Sequence, residues 1–286
     1  MQNIKLTLQY DGTRYLGWKR PEKNHNDRTV SYKIENVLEK VTGTPVTLFS
    51  GVRTEPGVHA RNLTVNFLTE SQLTPAEFKT VLNQYLPQDI AVLDAVSTPE
   101  RFRADLNARE ITYEYAMDLS PIYDLFHKNY RGRLTDLLSD SLFDLPPEQT
   151  AELPNILLME TAAHSLLGTH DFKHFSSIRK KKGTEKEIKT ITFVTEESTL
   201  YIRMTANDFL YQMAPFILGT LLDIGIGKRP VECINAILEG KEKPSASCDT
   251  KGLILYDIVY LFLSNTKKTR NFHITKVVLH CLKRNT

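Results

Sequence analysis

The sequence is poor in cysteine and has no long apolar run. Its three cysteines, Cys233, Cys248 and Cys281, are scattered and show no CxxC spacing, which argues against a disulfide framework or a zinc site. The most apolar stretch, Leu253 to Leu263, is interrupted by an aspartate and is far shorter than the ~20 residues of a membrane-spanning helix. Met1 to Tyr10 lacks the apolar core of a secretory signal. These absences predict a cytoplasmic protein in a reducing compartment, without a membrane span or a zinc site.

Charge is nearly balanced overall but unevenly distributed along the chain. The 286 residues contain 36 Lys and Arg against 34 Asp and Glu, a net charge of +2 with neutral histidines. No acidic residue follows Asp257, so residues 265–286 form a basic tail. A second basic block consists of Arg179, Lys180, Lys181 and Lys182. Such blocks can neutralise nucleic-acid phosphates, and a solvated surface explains either of them equally well.

Hydrophobic periodicity predicts alternating strands and helices. Strands are predicted over 4–10, 46–49, 63–68, 90–96, 110–117, 189–194, 200–206 and 253–263. Helices are predicted after Thr29 and Thr74, from the Pro146-Pro147 pair to 166, and over 209–224 and 231–238. The 209–224 stretch contains Pro215, which predicts that its helix begins or kinks there.

This order of elements predicts an α+β fold with mostly antiparallel sheets. At about 150 residues per domain, the length suits two units. The predicted division is an N-terminal α/β half over 1–105, a C-terminal α/β half over 106–264 and the tail over 265–286. The irregular stretch 122–144 is interpreted as an insertion.

The segment 51–60, with the sequence GVRTEPGVHA, is the stretch most indicative of chemistry. It is a polar turn between two predicted strands, and Glu55 lies two residues from Arg53. A nearby arginine keeps a carboxylate ionised, which suits a nucleophile. A surface turn with an incidental ion pair accounts for the same spacing.

The same segment resembles the G-R-T-D-A-G-V-H-A motif of the tRNA pseudouridine synthase A family. Other stretches resemble further motifs of that family in the same order: YDG and GW within 10–18, the start of TVQ at 29–30, LN…LP.DI at 82–90, F.AR..A..R.Y.Y at 102–115, HDF at 170–172, GFLYHMVRNIVGTLL at 207–222 and the final GL at 252–253. Residues 4–260 are covered, and six or more motifs in order make the resemblance specific.

The resemblance implies an isomerase that converts uridine to pseudouridine in the anticodon stem-loop of tRNA. It implies two fused, RNA-binding-like α/β halves with a catalytic cleft between them, and a homodimer with the RNA across both subunits. It implies no metal and no organic cofactor. The target base has to leave its stack to be reached.

The site residues follow from the same alignment. They are Glu55 at the position of the catalytic aspartate, Arg53 and Thr54 beside it, Tyr113 for the tyrosine that stacks on the base, Leu253 for the apolar residue that closes the pocket, His59 in the motif, and Arg179, Lys180, Lys181 and Lys182 for the phosphates. Without the resemblance, Tyr113 is an inward aromatic residue of an alternating strand, and a histidine in such a turn is more often structural.

Several charged positions of the family pattern are changed in this chain. Glu55 is one methylene longer than the usual aspartate, and it precedes Pro56 instead of alanine. The helix arginine that pairs with that aspartate aligns with Pro215, and its histidine neighbour aligns with Gln212. The arginine of F.AR aligns with Asp105, a reversal of charge.

Three hypotheses follow from this mixture of retained and changed residues. The first is an active synthase with a glutamate nucleophile. The second is a paralogue that binds a tRNA arm without chemistry, as the lost arginines suggest. The third is different base chemistry on RNA in the same fold, with Glu55 as a base, and nothing in the sequence specifically favours it.

Overall fold

The computed structural model describes residues 1–18, 27–122, 124–136, 153–178 and 182–260. Within these ranges ten strands form one sheet. The strands are β1 Gln2–Tyr10, β2 Phe49–Ser50, β3 His59–Thr69, β4 Ile90–Thr98, β5 Ala108–Asp118, β6 Gly132–Arg133, β7 Gly168–Asp171, β8 Glu185–Glu196, β9 Thr199–Ala206 and β10 Leu253–Tyr260. The helices are α1 Val30–Thr42, α2 Pro75–Tyr85, α3 Ala104–Asn107, α4 Ile156–His164, α5 Met213–Gly225 and α6 Cys233–Leu238.

The sheet is mostly antiparallel and has a parallel pair at its centre. The strand order is β4-β1-β3-β10-β5-β9-β8-β7, with β2 beside β3 and β6 beside β5. β3 and β10 run parallel, and Ile254 pairs with His59 and Leu255 with Ala60. This architecture confirms the predicted α+β class with mostly antiparallel strands.

The central pair determines where the segment 51–58 lies. That segment leads directly into β3, and β3 pairs with β10. On its other edge β10 pairs with β5, where Leu255 lies opposite Tyr113. The turn that carries Glu55 is therefore brought to the seam at which the strands of the first 100 residues meet those that follow.

The helix boundaries in the first half agree with the capping signals. α1 begins after Thr29 and ends at Gly43, which adopts φ 73° and donates its N–H to the carbonyl of Glu39. α2 begins after Thr74, whose hydroxyl accepts from the N–H of Glu77 while the Glu77 carboxylate accepts from the N–H of Thr74. This reciprocal pair satisfies two donors that the helix itself leaves open.

Two predicted elements differ from the structure. The strand expected over 46–49 forms ladder pairs only at Phe49–Ser50, because the N–H of Leu48 donates to the side chain of Glu35 at 3.2 Å. The long apolar stretch becomes helical only at Met213, which places Pro215 in the first turn of α5. A proline is tolerated there because the first turn has no intrahelical acceptor for its N–H.

The predicted boundary between residues 105 and 106 stays a prediction. The expected insertion 122–144 lies outside the described residues at 123 and 137–144. So do the predicted helix start at 146–147 and the basic tail 265–286. Across the described ranges, no helix is long and apolar enough to cross a membrane.

The turn after β1 supports the segment 51–58 through two glycines. A Cβ atom on Gly12 would lie 2.1 Å from the carbonyl oxygen of Val58. Gly17 adopts φ 81°, and a Cβ atom there would lie 2.5 Å from the carbonyl oxygen of Thr54. The YDG and GW motifs therefore provide the close backbone approach on which the turn that carries Glu55 rests.

We expect Gly12→Ala to lower the free energy of unfolding by about 3 kcal/mol, because the new methyl group meets backbone that cannot move aside cheaply. Urea denaturation measures the loss. Gly43→Ala is the control, since Gly43 has φ 73° and open space around it, and its loss should be ~1 kcal/mol. A loss at Gly12 no larger than at Gly43 would contradict the packing argument.

Candidate active site

A cavity of about 640 Å³ opens where the segment 51–58, β5 and the turn before α5 meet. Of the predicted residues it brings together Arg53, Thr54, Glu55 and Tyr113. The full lining is Leu16, Ser50, Gly51, Val52, Arg53, Thr54, Glu55, Pro56, Asp105, Ile111, Tyr113, Asp208, Phe209, Leu210 and Tyr211. The volume is in the range of small-molecule binding sites.

Hydrogen bonds hold the turn that carries Glu55. The hydroxyl groups of Tyr10 and Thr54 lie 2.7 Å apart, and the N–H of Trp18 donates to the carbonyl of Thr54 at 3.1 Å. The N–H of Val58 donates to the carbonyl of Glu55 at 3.2 Å. Thr54 is 4% exposed, so it acts as a buried support for the turn at the wall of the cavity.

The Glu55 carboxylate is buried and is held by the backbone. Its Oε1 atom accepts a hydrogen bond from the N–H of Gln212 at 2.8 Å. Burial raises the pKa of Glu55 above its ordinary value, and the N–H groups of Gln212 and of Glu55 itself oppose that rise. The side chain is 9% exposed, so desolvation is the larger effect.

The role of Arg53 in keeping Glu55 ionised stays a prediction. Arg53 is exposed at the cavity, and among the described residues no salt bridge joins it to Glu55. An exposed guanidinium without contact is screened by water and compensates little of the desolvation of a buried carboxylate. The charge of Glu55 therefore depends on backbone dipoles.

Gln212 has an unusual backbone conformation immediately before α5. It adopts φ 61° and ψ 10°, and Glu197 is the other non-glycine residue with positive φ in the described chain. For a residue with a Cβ atom this conformation costs roughly 1–2 kcal/mol. The hydroxyl of Ser177 donates to Oε1 of Gln212, and this contact offsets part of the cost.

Tyr113 forms an apolar wall of the cavity. Its side chain is 3% exposed, and its ring packs edge-on against Phe209 with centroids 5.1 Å apart. Burial first, and then the charge of Glu55, raise the pKa of Tyr113 well above its ordinary value. The phenol is therefore neutral in any physiological buffer and contributes an aromatic ring to the lining of the cavity.

Two further carboxylates line the cavity, and both are paired with cations. Asp105 accepts from Nε and an amino nitrogen of Arg103 at 2.9 and 2.8 Å, and that guanidinium lies 3.6 Å above the ring of Phe49. Asp208 accepts from Nζ of Lys186 at 2.6 Å. The charge reversal at Asp105 is thus balanced by Arg103 two residues before it.

The structure separates the remaining predicted residues from the cavity. His59 is 2% exposed and bridges backbone groups, accepting from the N–H of Gly12 at 3.0 Å and lying 3.0 Å from the carbonyl of Lys251. Leu253 is fully buried in β10. Neither lines the cavity, so their predicted substrate contacts stay predictions.

One residue of the predicted basic block lies within the described ranges. Lys182 is exposed, whereas residues 179–181 lie outside the described residues. The predicted phosphate contacts of the block stay predictions. Within the described ranges, no three His, Cys, Asp or Glu side chains are grouped as they would be to hold a metal ion.

Comparison with known proteins decides the family. The family model described as "tRNA pseudouridine synthase" matches residues 7–105 and 162–261. This chain belongs to the tRNA pseudouridine synthase A family. It is 34% identical over 263 residues to tRNA pseudouridine synthase A 2 of Bacillus cereus and 36% identical over 263 residues to tRNA pseudouridine synthase A of Caldicellulosiruptor bescii. Each alignment covers 91% of this chain and 100% of the relative.

Sequence reasoning missed two residues of this family site. The sequence identifies Gln212 only as a departure from the histidine of the family pattern, yet its N–H donates to the Glu55 carboxylate. Asp208 was not noted, although it lines the cavity. No periodicity signals a left-handed residue that is not glycine, and a single aspartate before an apolar stretch is equally typical of a helix start.

The raised pKa of Glu55 makes folding stability depend on pH. Below the unfolded pKa both states hold the proton, and as pH rises through the folded pKa the native state loses stability, by about 1.4 kcal/mol per unit of pKa difference between the states. We expect Glu55→Gln, which cannot ionise and keeps an oxygen acceptor for Gln212, to be more stable than the wild type at pH 8 and to lose that advantage near pH 4.

Urea denaturation at the two pH values measures this difference. Glu70→Gln is the control, because the Glu70 side chain is exposed. Its effect should be the same at both pH values. A Glu55→Gln advantage that is absent at pH 8, or that is equal at pH 4 and pH 8, would show that burial does not destabilise the charged carboxylate.

Proposed function

We propose that the protein isomerises uridine to pseudouridine in tRNA, with Glu55 as the catalytic carboxylate. The observation that carries the proposal is the position of that carboxylate in the wall of a cavity of about 640 Å³ that Tyr113 also lines. The reaction breaks the bond between the ribose and the base nitrogen, turns the base and forms a bond to carbon 5. The hydrogen at carbon 5 leaves as a proton and another is taken up at the nitrogen, so atoms and electrons balance without a cofactor.

The longer side chain of Glu55 is compatible with this role. In the described chain its carboxylate makes no hydrogen bond to a side chain, and Oε1 is held by a backbone N–H. Pro56 follows it and fixes one backbone torsion of the turn. A misplacement of about 1 Å costs on the order of 10²-fold in rate. The longer side chain of Glu55 therefore has to be held in place by a rigid turn.

The proposed substrate is a tRNA, and the proposed target is a uridine of the anticodon arm. The relatives aligned over their full length are named tRNA pseudouridine synthase A. A buried carboxylate is reached only by a base that has left its stack, which costs a few kcal/mol. Stacking on Tyr113 offsets that cost, since such a contact contributes about 1–3 kcal/mol. A homodimer is also proposed, and it rests on the family resemblance alone.

Binding without chemistry is the second candidate. Pro215 stands where the family pattern has an arginine, and Glu55 has no ion-pair partner in the described part of the chain. Both observations favour a neutral Glu55, which is a poor nucleophile. The two functions differ in whether the carboxylate is required for more than affinity.

Tritium release from tRNA transcripts that carry 5-tritiated uridine separates them, because bond formation at carbon 5 displaces the tritium. We expect release by the wild type and none by Glu55→Gln, which keeps the shape of the cavity and its affinity for tRNA. Glu55→Asp should release tritium on the order of 10²-fold more slowly, since its carboxylate is withdrawn by about one bond length.

The pH dependence follows from the burial of Glu55. Because burial raises the pKa of Glu55, kcat/KM should begin to fall with decreasing pH at a higher pH than an ordinary glutamate would give. Release by Glu55→Gln at the wild-type rate would overturn a catalytic role for the carboxylate. Absence of release by the wild type, with salt-dependent tRNA binding retained in both proteins, would establish the binding function.

Arg53→Ala tests whether the exposed guanidinium contacts the RNA backbone. We expect weaker tRNA binding and a salt dependence of log Kd that is shallower by about one. Arg14→Ala is the control, because the Arg14 guanidinium is already paired with Asp89 and does not line this cavity. Equal effects of the two changes on the salt dependence would contradict a specific role for Arg53.

A further inference from the structure

The turn that precedes α5 contains a residue whose conformation demands an explanation. Of the two described non-glycine residues with positive φ, Glu197 lies in the short connection between β8 and β9, where such a conformation is ordinary. Gln212 lies in no hairpin, and a glycine would adopt φ 61° there without steric conflict. The side chain of Gln212 must therefore contribute something that glycine cannot.

That contribution is a tether between two segments of the C-terminal half. The Ser177 hydroxyl donates to Oε1 of Gln212, and the Ser177 N–H donates to the carbonyl of Tyr211 at 3.2 Å. On the helix side, the N–H of Phe216 donates to the carbonyl of Gln212 at 3.1 Å. Gln212 is thus held through its side chain, through its neighbour and through the first turn of α5.

Gln212, held in this way, points its backbone N–H at the Glu55 carboxylate. With its backbone in the left-handed region, Gln212 donates its N–H to Oε1 of Glu55 at 2.8 Å. No described side chain donates to that carboxylate, so this backbone group is the contact that fixes it from the C-terminal half. Pro215 in the same helical turn has no N–H, and Cys248 donates to its carbonyl at 3.1 Å.

We propose that Gln212 is a positioning residue for Glu55, and that the Ser177 tether keeps its backbone N–H aimed at the carboxylate. The expected effect of Gln212 on the reaction rate rests on the proposed function. Its expected effect on the orientation and the pKa of the Glu55 carboxylate rests on the geometry alone. Loss of the tether frees Gln212 to leave the left-handed region. The carboxylate then loses its donor and its fixed orientation.

Ser177→Ala tests the tether at an exposed position, where the protein should still fold. We expect kcat/KM for tritium release to fall on the order of ten-fold, mostly in kcat. The acid limb of the pH profile should move to higher pH, because a donor to the charged form is lost. Ser177→Thr keeps the hydroxyl and should restore both quantities.

Ser176→Ala is the matched control, since the Ser176 hydroxyl donates to the carbonyl of Lys173 at 2.8 Å and not to Gln212. It should leave the rate and the profile unchanged. Other ionisable groups also face Glu55 or line its cavity and are common to all these variants: Tyr10, Arg53, Asp105, Tyr113, Asp208, Tyr211 and Cys248.

A second readout does not require activity. Carbon-13 NMR of glutamate-labelled protein follows the Glu55 carboxyl through its titration, with Glu55→Gln providing the assignment. The pKa of Glu55 should rise in Ser177→Ala and return in Ser177→Thr. If the wild type releases no tritium, the proposed function fails and this titration still decides the positioning role. A Glu55 titration identical in the wild type, Ser177→Ala and Ser176→Ala overturns it.

Discussion

Two pairs of residues at the centre of the sheet hold the candidate site together. The parallel pairing of β3 with β10 joins strands from the beginning and the end of the described chain. Because β3 starts one residue after the turn that carries Glu55, and β10 lies beside β5, this pairing brings the carboxylate to the strand that carries Tyr113. The cavity therefore forms where β10 joins β3 to β5.

The electrostatics of the cavity differ from what an arginine-rich pocket would provide. Asp105 and Asp208 line it, and Arg103 and Lys186 balance them from outside its lining. Glu55 faces this environment with a backbone donor in place of a cation. A backbone dipole is fixed and cannot leave the site, but it stabilises a charge less than a buried guanidinium does. The N–H of Gln212 therefore fixes the orientation of the Glu55 carboxylate but stabilises its charged form only weakly.

Local signals in the sequence predicted much of the fold and half of the site. The helix starts after Thr29 and Thr74 are signalled by residues within a few positions, so they could be predicted directly, although only Thr74 makes a side-chain capping hydrogen bond. Glu55 and Tyr113 were found through motifs in order. The contact between Gln212 and Glu55 joins residues 157 positions apart and depends on one backbone torsion, which no periodicity encodes. The sequence does not predict the charge balance at Asp105 for a similar reason. Its partner Arg103 is close in sequence, but only the directions of the two side chains show that they are paired.

The position of β10 in the sheet affects the order in which the strands can pair during synthesis. A chain that emerges from the ribosome from its N-terminus can form β1, β3, β4 and their helices early, because those elements are close in sequence. On the edge of β3 that faces β10, β2 pairs with Val65 and Asn66, whereas His59 and Ala60 gain their partners only when residues 253–260 have been synthesised. The strand that pairs with the start of β3 is the last described strand of the chain, so a product that ends before residue 253 retains the Glu55 turn and leaves the backbone groups of His59 and Ala60 on that edge unpaired, where another chain can bind.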